Sequence, residues 1–181
     1  MPCVVVERAW EEPAEIAAIQ AIEDRGAWCL QRHAVRFVRS YFSADRRRMI
    51  CLYEAPDAEA VRAAQQQAGM PLTRVWTATI LESGPAPASL PEVRTPGSRE
   101  IVVVERTLPE PLDAAEQAVV ASRMDRCLGL HGVEYLRAHL SLDRQRMVCV
   151  FRGPDAESVR IANRQADAPF DRAWSATLHE P

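Results

Sequence analysis

Lysine is absent from this 181-residue sequence, and all 22 basic side chains are arginines. They are scattered through both halves instead of clustering, which is the pattern of a solvated surface and not of a phosphate site. A basic excess is missing too, because 22 basic against 25 acidic residues leave a formal net charge of -3. No overall positive field therefore favours nucleic acid or an anionic membrane as a partner. Nowhere does the chain approach the ~20 consecutive apolar residues of a membrane helix. The start, Met1 to Arg8, lacks the long apolar core of a secretory signal, so a cytoplasmic location is expected. No CxxC pair occurs, and the cysteines (Cys3, Cys29, Cys51, Cys127 and Cys149) are odd in number, which argues against a disulfide framework or a zinc ribbon. The GxSxG, GxxxxGK[ST], HExxH and GxGxxG motifs are also missing, so the common hydrolase, nucleotide and metalloprotease signatures have no foothold.

What is present is a repeat. A gapless offset of 98 lays residues 1–83 on 99–181, and 35 of the 83 aligned pairs are identical. Val4-Val5-Val6-Glu7-Arg8 returns as Val102-Val103-Val104-Glu105-Arg106, and Arg48-Met49 with Cys51 returns as Arg146-Met147 with Cys149. Pro56-Asp57-Ala58-Glu59 returns as Pro154-Asp155-Ala156-Glu157. Between the copies, the segment from Ser83 through Pro85, Pro87, Pro91 and Pro96 reads as a semi-extended Pro-rich linker. The expected organisation is repeat 1 over 1–82, a linker over 83–99 and repeat 2 over 100–181.

Within each copy the hydrophobic period changes in a fixed order. Cys3 to Arg8 is a β-branched run suited to a buried strand. Ile16, Ile19, Ile22, Gly26 and Cys29 recur at three and four residues, which predicts a helix over 13–33. Val35 to Ser43 alternates as a strand, Ala44-Asp45-Arg46 turns, and Arg48 to Tyr53 is its hairpin partner. Asp57 supplies a cap for a second helix, which Gly69 and Pro71 end, and Thr73 to Leu81 is a last strand. The order βαββαβ is that of a ferredoxin-like unit with both helices on one face of the sheet. In the third strand Ile50 and Leu52 point one way and Met49, Cys51 and Tyr53 the other, so both faces are apolar and the second must be covered. The expected fold is α+β: two tandem ferredoxin-like domains packed sheet to sheet about a pseudo-two-fold axis, as a dimeric α+β barrel.

The strings Val4 to Arg8, Ser40 to Arg47, Cys51 to Pro56, Glu59-Ala60-Val61-Arg62 and Gly69-Met70-Pro71 resemble a family of small bacterial proteins long catalogued as of unknown function. One class of that family is described as nickel-binding, with a ferredoxin-like fold that dimerises into a barrel. The resemblance covers both copies and implies nickel as a ligand. Members associated with metal binding often carry a histidine in the second helix, where Ala64 and Ala162 stand here, and others carry one where Arg39 and Arg137 stand.

Metal-ligating candidates follow from residue type. Cys51 and Cys149 pair a soft thiol with the thioethers of Met49 and Met147, and Glu7 and Glu105 end the adjoining strand, a donor set suited to nickel or copper if all face the barrel interior. Cys29 with His33, and Cys127 with His131, lie one helical turn apart, though Cys29 also continues the core stripe. His139, which replaces Tyr41, adds an imidazole to the second copy. For a small-molecule cavity between the sheets the candidates are Arg39, Arg137, Tyr41 and Tyr53; alternatively Arg39 and Arg137 hold Glu7 and Glu105 in buried ion pairs. Trp76 and Trp174 either stack a planar ligand or pack.

Three functions are compatible with these residues. The first is a non-enzymatic nickel-binding protein, a buffer or sensor. The second is a small-molecule-binding protein or cofactor-independent enzyme, and the third is a structural module that associates with itself or another protein.

Overall fold

The computed structural model describes residues 1–82 and 99–181; all of the expected linker except Arg99 lies outside the described residues. Repeat 1 comprises β1 (Cys3–Ala9), α1 (Ile16–Arg32), β2 (Arg36–Ser43), β3 (Arg48–Glu54), α2 (Ala58–Ala68) and β4 (Arg74–Glu82). Repeat 2 comprises β5 (Glu100–Thr107), α3 (Ala114–Leu130), β6 (Glu134–Ser141), β7 (Arg146–Gly153), α4 (Ala156–Gln165) and β8 (Arg172–His179). Both copies therefore have the expected βαββαβ order. The fold class is a closed antiparallel barrel, with hydrogen-bonded neighbours in the order β1-β3-β2-β8-β5-β7-β6-β4. Among the described residues no helix is long and apolar enough to cross a membrane.

Local sequence explains the element ends. Asp57 Oδ1 accepts from the Ala60 N–H at 2.8 Å and Asp155 Oδ1 from the Ser158 N–H at 2.7 Å, so each second helix begins on a side-chain cap contributing about 1 kcal/mol. α3 is capped likewise by Asp113, whereas α1 begins after Glu15 with no side-chain cap, three residues later than Pro13 suggests. Gly69 ends α2 in the left-handed region at φ 72°, which a side chain rarely adopts. The β2–β3 turn is tied by Ser43, whose Oγ donates to Asp45 at 2.6 Å and accepts from the Arg48 N–H at 2.9 Å. Ser141 repeats the arrangement with Asp143 and Arg146.

The chain forms two compact units, one of Met1–Thr79 with Thr177–Pro181 and the other of Ile80–Ala176. In unit 1, Val4 and Val6 of β1 and Met49, Cys51 and Tyr53 of β3 pack under Ile19 and Cys29 of α1 and Val61 and Ala64 of α2. In unit 2, Val102, Val104, Cys149 and Phe151 pack under Met124 and Leu128 of α3 and Val159 and Ala162 of α4. Strand parity then sends Val5, Glu7, Ile50 and Leu52 to the opposite face, where Val5 pairs with Leu52 and Glu7 with Ile50. A bulge between Phe37 and Arg39 resets β2, so that Arg39 and Tyr41 lie opposite Leu52 and Ile50 on that second face. The expectation that Cys51, Cys149, Met49 and Met147 face the barrel interior is thus corrected, because these side chains turn to the helix-covered face. Both faces of β3 are apolar, and hydrophobicity alone does not choose between them.

Candidate functional site

The carboxylates of Glu7 and Glu105 are already engaged. Trp76 Nε1 donates to Glu7 Oε1 at 2.8 Å, and Arg74 lies 3.6 Å from Oε2; Trp174 and Arg172 repeat this with Glu105 at 2.7 and 3.6 Å. The tryptophans therefore serve as hydrogen-bond donors along neighbouring strands. Arg39 pairs with Glu180 at 3.1 Å and Arg137 with Glu82 at 3.9 Å, instead of with Glu7 and Glu105 as the sequence suggested.

The histidines are also committed. His33 and His131 form the C-caps of α1 and α3, and their Nε2 atoms lie 3.2 and 2.7 Å from the side-chain oxygens of Gln67 and Gln165. Cys29 is buried in the core of unit 1, and Cys127 sits at the edge of that of unit 2. Tyr41 and its counterpart His139 are fully buried on the sheet face opposite Tyr53 and Phe151. The sequence-derived donor set is therefore divided. Cys51 and Met49 lie on one face, Glu7 and His139 belong to the other, and His33 and His131 sit at helix ends. Among the described residues no three His, Cys, Asp or Glu side chains gather into a group fit to hold a metal ion.

Instead, both units leave a concave space at the same place, between their first helix and the sheet. In unit 1 it measures about 440 Å³, walled by Ile16, Ile19 and Leu30 of α1, Phe37 and Ser40 of β2, Met49 and Tyr53 of β3, and Met70, with His179 and Glu180 at its edge. In unit 2 it measures about 350 Å³, walled by Val120, Met124 and Leu128 of α3, Tyr135 and Ala138 of β6, and Met147, Cys149 and Phe151 of β7, with Leu81 and Glu82 at its edge. Phe37 with Tyr53, and Tyr135 with Phe151, form edge-on aromatic pairs beside the two spaces, with centroids 5.7 and 5.8 Å apart.

A buried cation, which sequence reasoning missed, stands behind the first cavity. Arg8 NH2 donates to Gln65 Oε1 at 2.8 Å and to the Tyr53 hydroxyl at 3.4 Å, and NH1 donates to the Pro71 carbonyl. Arg106 does the corresponding work in unit 2, donating to Asn163 and to the Ala168 and Pro169 carbonyls. The available signal was parity, since Arg8 follows Val4 and Val6 on the inward face of β1, where a charge needs a built partner set. Burial pushes the Tyr53 hydroxyl well above its ordinary value, and the neighbouring Cys51 reinforces this. Burial likewise raises the Cys51 thiol, against the pull of Arg8, so it stands as a neutral thiol at pH 7 and not as the thiolate a soft metal prefers. Glu23, on α1 at the wall of this cavity, is half-buried, and desolvation raises its carboxyl above the usual range even though Arg8 acts against the shift. Among the described residues the donors nominated for nickel are not gathered at one point.

The sequence matches the family described as nickel responsive protein SCO4226-like over residues 5–77 and again over 103–175, once per repeat. None of the curated proteins matches it. Among solved structures it is similar to SCO4226 from Streptomyces coelicolor A3(2), at 16% identity and a TM-score of 0.37 over 40% of this chain and 90% of that one. It is also similar to the chlorite dismutase of Candidatus Nitrospira defluvii, at 11% identity and a TM-score of 0.55 over 98% of this chain and 91% of that one. A heme-binding protein from Thermus thermophilus aligns at 8% identity and a TM-score of 0.51 over 99% of this chain and 92% of that one. With the last two this chain shares a fold along nearly its whole length.

Proposed function

The chain belongs to the SCO4226-like family of nickel-responsive proteins, and from that premise we propose that it is a non-enzymatic binding protein holding small molecules in one cavity per repeat. The supporting observation is the repetition of the cavity: two copies that differ at most aligned positions leave the same space open beneath α1 and α3. At about 440 and 350 Å³, both fall in the size range of small-molecule sites, roughly 300–1,000 Å³. Their walls are mainly aliphatic and aromatic, with a few polar groups, as such sites require.

The test is a fluorescence titration with N-phenyl-1-naphthylamine, a neutral dye that brightens in apolar surroundings. Saturable binding is expected, and it should be lost when both cavities are plugged from their helices by Glu23→Trp and Ala121→Trp. Unchanged binding in that double variant, with native circular dichroism, would remove the reading.

Nickel binding is the second reading, favoured by the family match. It assigns no residues here, because the nominated donors are split between two sheet faces and the helix ends. Calorimetric titration of the metal-free chain with Ni²⁺ decides it, and heat no greater than dilution would end it.

A further inference from the structure

Laying one cavity on the other at the 98-residue offset shows how their linings have diverged. Three wall positions change in the same chemical direction: Glu23 becomes Ala121, Ser40 becomes Ala138, and Tyr53 becomes Phe151. The unit 2 lining thereby loses the Glu23 carboxylate and two hydroxyls. In the other direction Phe37 becomes Tyr135, whose hydroxyl is spent on the Leu81 carbonyl at 2.8 Å, and Ile19 becomes Gln117, while the apolar pairs Leu30/Leu128 and Met49/Met147 are kept. The charges at the edges differ as well. Among the described residues the unit 1 cavity is lined by Glu23, Asp24 and Glu180 with Arg8 behind it, and the unit 2 cavity by Glu82 and Asp125 with Arg106, so the unit 1 lining carries one carboxylate more.

Partners sharpen the contrast. Glu180 is matched by Arg39, and Asp24 accepts from Gln20 at 2.9 Å, but no hydrogen bond or ion pair engages Glu23 among the described residues. A half-buried carboxylate beside Ile19, Phe37 and Met70 favours whatever restores its lost solvation. A cationic head on an apolar body does so, placing the ammonium at Glu23 and its hydrocarbon against the aliphatic wall.

Resting on the reading that each cavity is a ligand site, we infer that the two sites are specific for different chemistry. The unit 1 cavity takes a small amphipathic cation, an amine with an apolar body, and the unit 2 cavity takes an uncharged apolar molecule. Glu23 and Ala121 are the specificity-determining pair.

Equilibrium dialysis of the full chain against 1-naphthylmethylammonium and against 1-methylnaphthalene, probes alike in shape and unlike in charge, tests this. The ammonium probe should bind one equivalent, weakened at least tenfold by Glu23→Ala and by Glu23→Gln, and unaffected by Ala121→Trp. The neutral probe should be lost from its site in Ala121→Trp and be insensitive to Glu23→Gln. Ala121→Glu should give the ammonium probe a second equivalent. If both probes bind but neither Glu23 variant separates them, the divergence in specificity is wrong while the cavities remain ligand sites. If neither probe binds saturably, the cavity reading falls, and this inference with it.

Discussion

Trp76 and Glu7 are 69 positions apart in the chain, yet the indole N–H and the carboxylate oxygen meet at 2.8 Å, and Trp174 and Glu105 repeat the contact at 2.7 Å. The antiparallel registers that set Glu7 beside Arg74 and Glu105 beside Arg172 bring each tryptophan within reach two residues on. The repeated V-V-V-E-R string thus carries a strand-to-strand tie in its glutamate and a helix-to-sheet tie in its arginine.

Replacing Glu7 by alanine leaves the indole N–H without its acceptor and Arg74 without its nearest anion. The expected loss is about 2 kcal/mol, the cost of stranding a partly buried donor. Glu7→Gln keeps an acceptor oxygen and should lose less than about 1 kcal/mol. Urea midpoints of the two variants would check the order, and equal losses would show that the tie to Trp76 is not what Glu7 contributes.

Arg8 is nearly inaccessible and serves three acceptors, Gln65, Tyr53 and the Pro71 carbonyl. Arg8→Met should cost roughly 3 kcal/mol, because those acceptors stay buried after their donor is gone. Arg8→Met with Gln65→Leu should recover part of that loss, since one stranded acceptor leaves with its donor. Strictly additive losses in the double-mutant cycle would mean that Arg8 and Gln65 act independently.

Much of this fold was legible in the sequence. Repetition, the βαββαβ order, the Asp57 cap and the Gly69 stop all depend on contacts within a few residues. The parity of β3 was legible too, with Ile50 and Leu52 opposed to Met49, Cys51 and Tyr53. Which set lies under the helices was not, because either face satisfies the hydrophobic pattern. The bulge at Val38 and the registers of β4 and β8 decide where Arg39, Glu7 and Trp76 find partners, and these depend on pairing between distant strands. The cavities escaped for the same reason, being assembled from β2, β3, α1 and the 177–181 segment in unit 1.

Gly26 marks the closest approach of the two helices in unit 1. A Cβ added there would stand 2.4 Å from the Cβ of Ala68, nearer than two carbons can come. Gly26→Ala gains about 1 kcal/mol of helix propensity but must push α1 away from α2, and overpacking of this kind costs roughly 1–3 kcal/mol. The expected net result is a lower thermal midpoint, rescued when Ala68→Gly is added. A midpoint that rises in Gly26→Ala alone would show that the helices separate at no cost.

The pH response separates two carboxyls by sign. Asp45 is held below its ordinary 3.8, first by its hydrogen bond with Ser43, so its contribution to stability is present above that value and is lost as pH falls through the lower folded value. Glu23 is raised above its ordinary 4.5, chiefly by burial, so the folded state binds its proton more tightly than the unfolded chain does. Its ionised form therefore opposes folding above the raised value, and this penalty shrinks as pH falls towards 4.5. Glu23→Gln should accordingly be more stable than the native chain at pH 7, with the difference closing by about pH 4, where both side chains are neutral. Asp45→Asn should be less stable than the native chain at pH 7, with its deficit narrowing only below 3.8. Urea midpoints of the three proteins from about pH 3 to about pH 8 give both curves. A Glu23→Gln difference that stayed constant across that range would show that the Glu23 carboxyl is not desolvated at the cavity wall.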